Sequence, residues 1–88
     1  MTIAKRRAEW VDHLTARFHR VTLQHNLKDI IVATVEIDND LYVSRDGPNM
    51  YTVHRRVKNV WDGSEATAYS LAGLSDALEA MGAAMIPF

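Results

Sequence analysis

The fold is decided by one stretch of the sequence, residues 30–37, which reads Ile30-Ile31-Val32-Ala33-Thr34-Val35-Glu36-Ile37. Most of these residues are β-branched or apolar, and the run is bounded by polar residues on both sides, which is typical of a β-strand. Side chains on a strand alternate between its two faces. The alternation predicts that one set faces the core, consisting of Ile31, Ala33, Val35 and Ile37.

Three further strands are predicted on the C-terminal side of this stretch. Residues 38–40, Asp-Asn-Asp, have the composition of a turn, so residues 41–45 are expected to return as the second strand. A three-residue loop there would pair Val35 with Val43. Residues 46–49, Asp-Gly-Pro-Asn, predict the next loop, and residues 50–60 predict the third strand.

The fourth strand is predicted from a hairpin signal. Asp62-Gly63 is a favoured pair for a two-residue hairpin turn, so residues 65–71 are expected to be the return strand. This register would place Val57 opposite Ala68 and Arg56 opposite Tyr69.

Helices are predicted at both ends of the chain. Residues 2–24 carry an apolar stripe at helical spacing, with Thr2 as the N-cap. The stripe consists of Ile3, Trp10, Val11, Leu14, Phe18 and Val21. A shorter helix is predicted over residues 73–81, with Gly82 as its end, and its inner face consists of Leu74, Ala77, Leu78 and Met81. The sequence therefore predicts a single α+β domain over residues 1–88, ordered α-β-β-β-β-α, with a four-stranded antiparallel sheet covered on one face by two helices.

The charge is unevenly distributed along the chain. Residues 1–28 carry six basic and two acidic side chains, whereas residues 29–88 carry four basic and nine acidic ones, so the net charges are +4 and −5. Such an asymmetry indicates a charged partner. The chain of 88 residues contains no cysteine, which excludes disulfides and thiolate metal sites and is compatible with a cytoplasmic protein. No apolar run is long enough to predict a membrane span.

The sequence carries no recognisable catalytic or metal-binding pattern. His13, His19 and His25 are six residues apart, which would place successive rings about 120° apart around a helix instead of on one face. The serines lack a Gly-x-Ser-x-Gly elbow, and no carboxylate is placed to orient His54. We therefore predict that the protein is not an enzyme and uses no cofactor or metal.

Two basic groups are the candidate binding residues. The first is a stripe on the predicted N-terminal helix, formed by Arg6, His13, Arg17 and Arg20. The second is a row on the third strand, formed by His54, Arg56 and Lys58, with Tyr69 predicted across the hairpin. The stripe is also what a solvated helix face would look like. The row mixes cations with an aromatic ring as single-strand binders do, and it is equally compatible with an ordinary exposed face on which Arg56 rests on Tyr69.

The segment over residues 55–80 resembles part of a family of small phage anti-CRISPR proteins that act on type I-F systems. The shared pattern is a strand (Arg56 to Val60), an Asn-x-x-Asx-Gly motif (Asn59 to Gly63), a return strand (Ala68 to Leu71) and a short helix with Leu74 and Leu78. The resemblance implies a compact phage-encoded protein that blocks a bacterial defence complex by binding its protein surface, in the host cytoplasm.

Three functions are therefore expected from the sequence. The first is a non-enzymatic interaction protein, of which an anti-CRISPR-like inhibitor is the narrower form, with a macromolecular protein partner. The second is a nucleic-acid-binding module that uses one of the two basic groups. The third is a small oligomeric structural protein, such as a homodimer, with Met85 to Phe88 as a docking segment.

Overall fold

Two helices and a five-stranded antiparallel meander make up the described part of the chain. The computed structural model describes residues 3–23 and 29–86, with side chains from Glu9 onwards. The elements in chain order are α1 (Ile3–Arg17), β1 (Thr22–Leu23), β2 (Asp29–Glu36), β3 (Asn39–Gly47), β4 (Met50–Val57), β5 (Val60–Ala68) and α2 (Leu71–Ala80). The sheet order is β1-β2-β3-β4-β5. The α+β prediction is confirmed, but the sheet has one strand more than the four predicted.

The additional strand arises because α1 ends earlier than predicted. The helix stops at Arg17, and Thr22 pairs with Ile31 of β2 where the helical pattern was expected to continue. The backbone after α1 instead pairs with the C-terminal segment: the Ile86 N–H donates to the Arg17 carbonyl at 2.7 Å. Gln24, the predicted end of the helix, and Thr2, its predicted N-cap, lie outside the described residues.

A bulge in β2 changes which of its residues face the core. The register with β3 shifts between Ile31 and Ala33, so Ile30 and Val32 point to the core before the bulge, and Ala33 and Val35 after it. The prediction for this strand was therefore wrong at two of four positions. Ile31 lies opposite Tyr42 on the other face, and Ile37 is 90% exposed in the turn. A strict alternation cannot represent an extra residue of this kind.

The turn at this end of the sheet is also shifted. Glu36 pairs with Asn39, so the turn consists of Ile37 and Asp38 instead of residues 38–40. Val43 consequently pairs with Ile30, not with Val35. The turn predicted over residues 46–49 is present but narrower, because β3 continues to Gly47 and β4 begins at Met50.

The β4–β5 hairpin turns at Lys58-Asn59 and not at Asp62-Gly63. Both turn residues have positive φ values, 52° and 67°, as a type I′ turn requires. The Lys58 N–H also donates to the Asp38 carbonyl at 2.7 Å, which joins this turn to the neighbouring one. Val57 therefore lies opposite Val60, and Arg56 opposite Trp61, which corrects the predicted pairs with Ala68 and Tyr69.

Both helices contribute to one core on a single side of the sheet. The buried set includes Trp10, Leu14 and Phe18 from the first segment and Leu74 and Leu78 from α2, packed with strand residues. The α2 helix is capped by the Ser70 hydroxyl, which accepts from the Gly73 N–H at 3.0 Å. Its inner face is as predicted, although it begins two residues earlier, and Gly82 follows it with φ 104°.

The C-terminal segment packs against its own chain. Ala83 is buried, Met85 forms a bridge with Phe18, and the His19 N–H donates to the Ala84 carbonyl. Residues 83–86 are therefore part of this fold, and Met85 and Ile86 of the predicted docking segment both contact the region around Phe18. Pro87 and Phe88 lie outside the described residues.

Candidate binding surface on the sheet

The side of the sheet away from α1 and α2 is covered by none of the described residues. We call this side the open face. Cross-strand pairing places Tyr42 of β3 beside His54 of β4, His54 beside Glu65 of β5, and Arg56 beside Trp61. Since directly paired residues share a face, these five side chains form one cluster, which we call the Arg56 patch.

The centre of the Arg56 patch is a packed stack. The Arg56 Cζ atom lies 4.4 Å from the centroid of the Tyr42 ring, within cation–π range. The rings of Tyr42 and His54 are stacked, with centroids 5.6 Å apart and an interplanar angle of 15°. Tyr42 is consequently buried although it lies on the open face, and it supports the guanidinium from below.

A hydrogen bond fixes the relative position of Arg56 and His54. The Arg56 Nε–H donates to His54 Nε2 at 3.1 Å. An imidazole nitrogen can accept only when it carries no proton, so this bond requires neutral His54 with its proton on Nδ1. This hydrogen bond therefore forms only while His54 is uncharged.

Trp61 is exposed but held in place by the bulge that follows it. The indole Nε1–H donates to the Ser64 carbonyl at 3.1 Å, and the Ser64 N–H donates to the Asp62 carboxylate at 2.8 Å. Gly63 between them has φ 93°, a value that favours glycine. The Asp62-Gly63 pair thus shapes a bulge that positions a tryptophan whose surface is 54% exposed.

These side chains surround a shallow depression. Its volume is about 250 Å³, and it is lined by His54, Arg56, Trp61 and Glu65. The floor and walls combine a guanidinium, an indole, an imidazole and a carboxylate. Such a depression can receive one polar side chain together with some apolar surface.

The predicted row on β4 is assembled only in part. His54 and Arg56 meet on the open face, as expected. Lys58 lies in the turn with positive φ, outside the strand, and Tyr69 follows the end of β5 with 69% of its surface exposed. The ring under Arg56 is Tyr42, which corrects the predicted stacking on Tyr69.

The predicted helix stripe does not form as a continuous surface. Arg20 lies beyond α1 with φ 60°, so it does not continue the helical spacing of Arg17. His13 Nε2 lies 2.9 Å from the Ser75 hydroxyl of α2, and Arg17 is partly buried with its guanidinium near the His13 carbonyl. Arg6 belongs to α1, but its side chain is outside the described ones.

Tyr42, Trp61 and Glu65 are the residues of the patch that sequence reasoning missed. For Trp61 and Glu65, the signal in the sequence was the alternative turn at Lys58-Asn59. If the chain turns there, the return strand places Trp61 directly opposite Arg56. Asparagine favours positive φ, so this alternative was visible in the sequence. Tyr42 depended on the β3–β4 register, which the turn at residues 48–49 sets.

The pKa of His54 provides a test of this geometry. Burial lowers the pKa below the ordinary 6.5, and the charge of Arg56 lowers it further, whereas Asp29 and Glu65 act in the opposite direction. We expect Arg56→Gln to raise the pKa of His54, because it removes the nearby cation, and Arg45→Gln to leave it unchanged. An NMR titration of the imidazole would measure both; an unaltered or lower pKa in Arg56→Gln would contradict the arrangement.

The same shift sets the direction of a pH effect on folding. A histidine whose pKa is lowered by folding binds its proton more weakly in the native state than in the unfolded chain. Its contribution to stability is therefore complete above pH 6.5, the ordinary pKa, and decreases as the pH falls toward the lower native pKa. His13 acts in the same direction, since burial and then the charge of Arg17 lower its pKa too.

Compared with protein-family models, curated proteins and solved structures, the chain gives no significant match. No helix within residues 3–23 and 29–86 is both long enough and apolar enough to cross a membrane.

Proposed function

We propose that this protein is a non-enzymatic interaction module that binds another protein through its open face. The observation that carries the proposal is the Arg56 patch, where an arginine and a tryptophan are held in fixed positions on an uncovered sheet. Antiparallel sheets tolerate one solvated face, but such a face is ordinarily polar and does not present an ordered, half-exposed indole.

The composition of the patch is typical of protein interfaces. Tryptophan, tyrosine and arginine are the residues that most often dominate binding energy in interfaces, and they do so when clustered and packed. Trp61 is held by its hydrogen bond to Ser64, and Arg56 by Tyr42 and His54. Because these side chains are already ordered, binding would cost less conformational entropy than it would for free side chains.

The charges around the patch favour a protein over a nucleic acid. Asp40 lies directly opposite Arg56 on β3, and Glu65 opposite His54 on β5. A polyphosphate backbone laid across this face would be repelled by these carboxylates, whereas a protein surface can match both signs.

The narrower proposal is an inhibitor of a bacterial defence complex, as the anti-CRISPR resemblance implies. It is supported by the surface described above. Expression of the protein in a host with an active type I-F system should let a targeted phage form plaques, and Arg56→Glu should abolish this rescue. Absence of rescue by the unaltered protein would rule out this inhibitor role and leave the broader proposal standing.

The broader proposal is tested by quantitative capture from bacterial lysate. Trp61→Ala and Arg56→Glu baits should lose a protein that the unaltered bait retains. Arg45→Glu is the matched control, because Arg45 is an exposed arginine on β3 whose strand position places it on the opposite side of the sheet from Tyr42. Equal recovery with all four baits would contradict binding through the open face.

The second candidate function is single-stranded nucleic-acid binding. It is favoured by one observation, the exposed Trp61 beside an arginine stacked on Tyr42, since such binders combine stacking rings with cations. Affinity for oligo(dT) or oligo(U) would then fall steeply between about 50 and 200 mM salt. No binding even at low salt would exclude this function.

A further inference from the structure

The guanidinium of Arg56 is only partly used by its own chain. Its Nε–H is committed to His54, and this is the one hydrogen bond that the Arg56 side chain makes with the described residues. Among these residues, the four N–H groups on Nη1 and Nη2 have no acceptor. The side chain is neither fully buried nor fully exposed, and it lines the depression together with Trp61.

The position of the guanidinium is fixed before any partner arrives. Tyr42 supports its plane from below at 4.4 Å, and His54 holds its Nε edge at 3.1 Å. Because the Nε edge is occupied, only the outer edge with its two amino groups can receive a ligand. That edge presents two parallel N–H groups, which match the two oxygens of a carboxylate.

We propose that the open face recognises a carboxylate side chain of its protein partner, bound by the two terminal amino groups of Arg56 in the depression beside Trp61. This inference rests on the proposed function and names the chemistry of the partner's contact residue. The exposed indole would cover the apolar stem of the bound glutamate or aspartate and shield the ion pair from water.

A single carboxylate fits this site better than a chain of phosphates. Arg56 is the one arginine or lysine that the described strands place on the open face. The same face carries the carboxylates of Asp29, Asp40, Asp46 and Glu65. Nucleic-acid binding requires several cations along the backbone, each contributing to affinity and to its salt dependence. One cation among four carboxylates can receive one negative group but not a row of phosphates.

The inference can be tested with defined peptides before the partner is known. The probes are two blocked tripeptides, acetyl-Leu-Glu-Leu-amide and acetyl-Leu-Gln-Leu-amide, followed by NMR at the Trp61 indole N–H and the Arg56 Nε–H. We expect saturable shifts with the glutamate peptide and at least tenfold weaker binding of the glutamine peptide. Arg56→Gln should abolish the difference between the two peptides.

Two further variants separate geometry from charge. Arg56→Lys keeps the positive charge but lacks the planar two-donor edge, so it should bind the glutamate peptide several-fold more weakly than the unaltered protein. Arg45→Gln removes an exposed arginine from the other side of the sheet and should leave binding unchanged. Circular dichroism of each variant checks that it remains folded. If Arg56→Gln does not fold, the weaker binding expected for Arg56→Lys still tests whether the two-donor edge of Arg56 binds the carboxylate.

Specific results would overturn the inference. Equal affinity for the two peptides, or unchanged binding in Arg56→Gln, would show that Arg56 does not select a carboxylate. Oligo(dT) binding that perturbs the same two signals and competes with the glutamate peptide at lower concentration would assign the site to nucleic acid. If Trp61→Ala loses the captured protein and Arg56→Gln retains it, the open face is the interface and the carboxylate contact is refuted.

Discussion

Replacing Phe18 with alanine is expected to lower the free energy of unfolding by about 3–5 kcal/mol, the cost typical of removing a large buried aromatic ring. Phe18 is among the largest fully buried side chains, and it joins the end of α1 to the C-terminal segment through its bridge with Met85. A domain of this length has a total stability of about 4–13 kcal/mol by the usual per-residue range. The variant should therefore lose at least about a quarter of its stability, and all of it at the lower end of this range.

The control for this prediction is an apolar residue that makes no core contact. Ile37 is 90% exposed in the β2–β3 turn, so Ile37→Ala should change stability by no more than about 0.5 kcal/mol. Urea unfolding followed by far-UV circular dichroism would compare the two variants with the unaltered protein. Equal losses in Phe18→Ala and Ile37→Ala would contradict the packing described for this segment.

The element types could be predicted because their signals are local. The β-branched residues of β2 and the apolar stripes of both helices identify these elements without knowledge of the rest of the chain. Trp10, Leu14, Phe18, Leu74 and Leu78 were all assigned to the core from spacing alone, and all are buried. Spacing succeeds here because one face of each helix meets the same side of one sheet.

The register could not be predicted because it depends on competition between distant segments. By local preference Asp62-Gly63 is the better hairpin turn, yet the chain turns at Lys58-Asn59. A turn at Asp62-Gly63 would have extended the return strand beyond Ala68, so that the residues at the start of α2 would have belonged to the strand. The observed turn leaves Ser70 free to cap α2 and allows Leu74 and Leu78 to reach the core, although it places Lys58 at positive φ.

The end of α1 was missed for a similar reason. The apolar spacing continues through Val21, and nothing in the local sequence indicates that residues 84–86 will pair with the backbone around Phe18. The candidate site shares this limitation, since His54 and Arg56 were identified from their alternation on one strand. Their partners Tyr42, Trp61 and Glu65 come from neighbouring strands and follow only from the correct turns.

Replacing Trp61 with alanine is expected to weaken binding to the captured protein partner by about 2 kcal/mol or more, which corresponds to roughly 30-fold in affinity. The indole is the largest apolar group on the open face, and its bond to Ser64 already fixes it. A partner can therefore bury this surface with little loss of side-chain entropy, and the variant loses that contact. Isothermal titration calorimetry with the partner would measure the loss. Trp61→Phe keeps an aromatic ring but cannot donate to Ser64, and it should give an intermediate affinity.

Val60→Ala is the matched control for this loss. Val60 precedes Trp61 on β5 and is 67% exposed, but it lies opposite Val57, so its side chain is on the other side of the sheet. Its truncation should leave affinity unchanged within the error of the titration, and both variants should keep most of their stability because neither side chain belongs to the buried core. If Val60→Ala weakens binding as much as Trp61→Ala does, the contact surface is the β4–β5 end of the sheet as a whole, and the open face is not the interface.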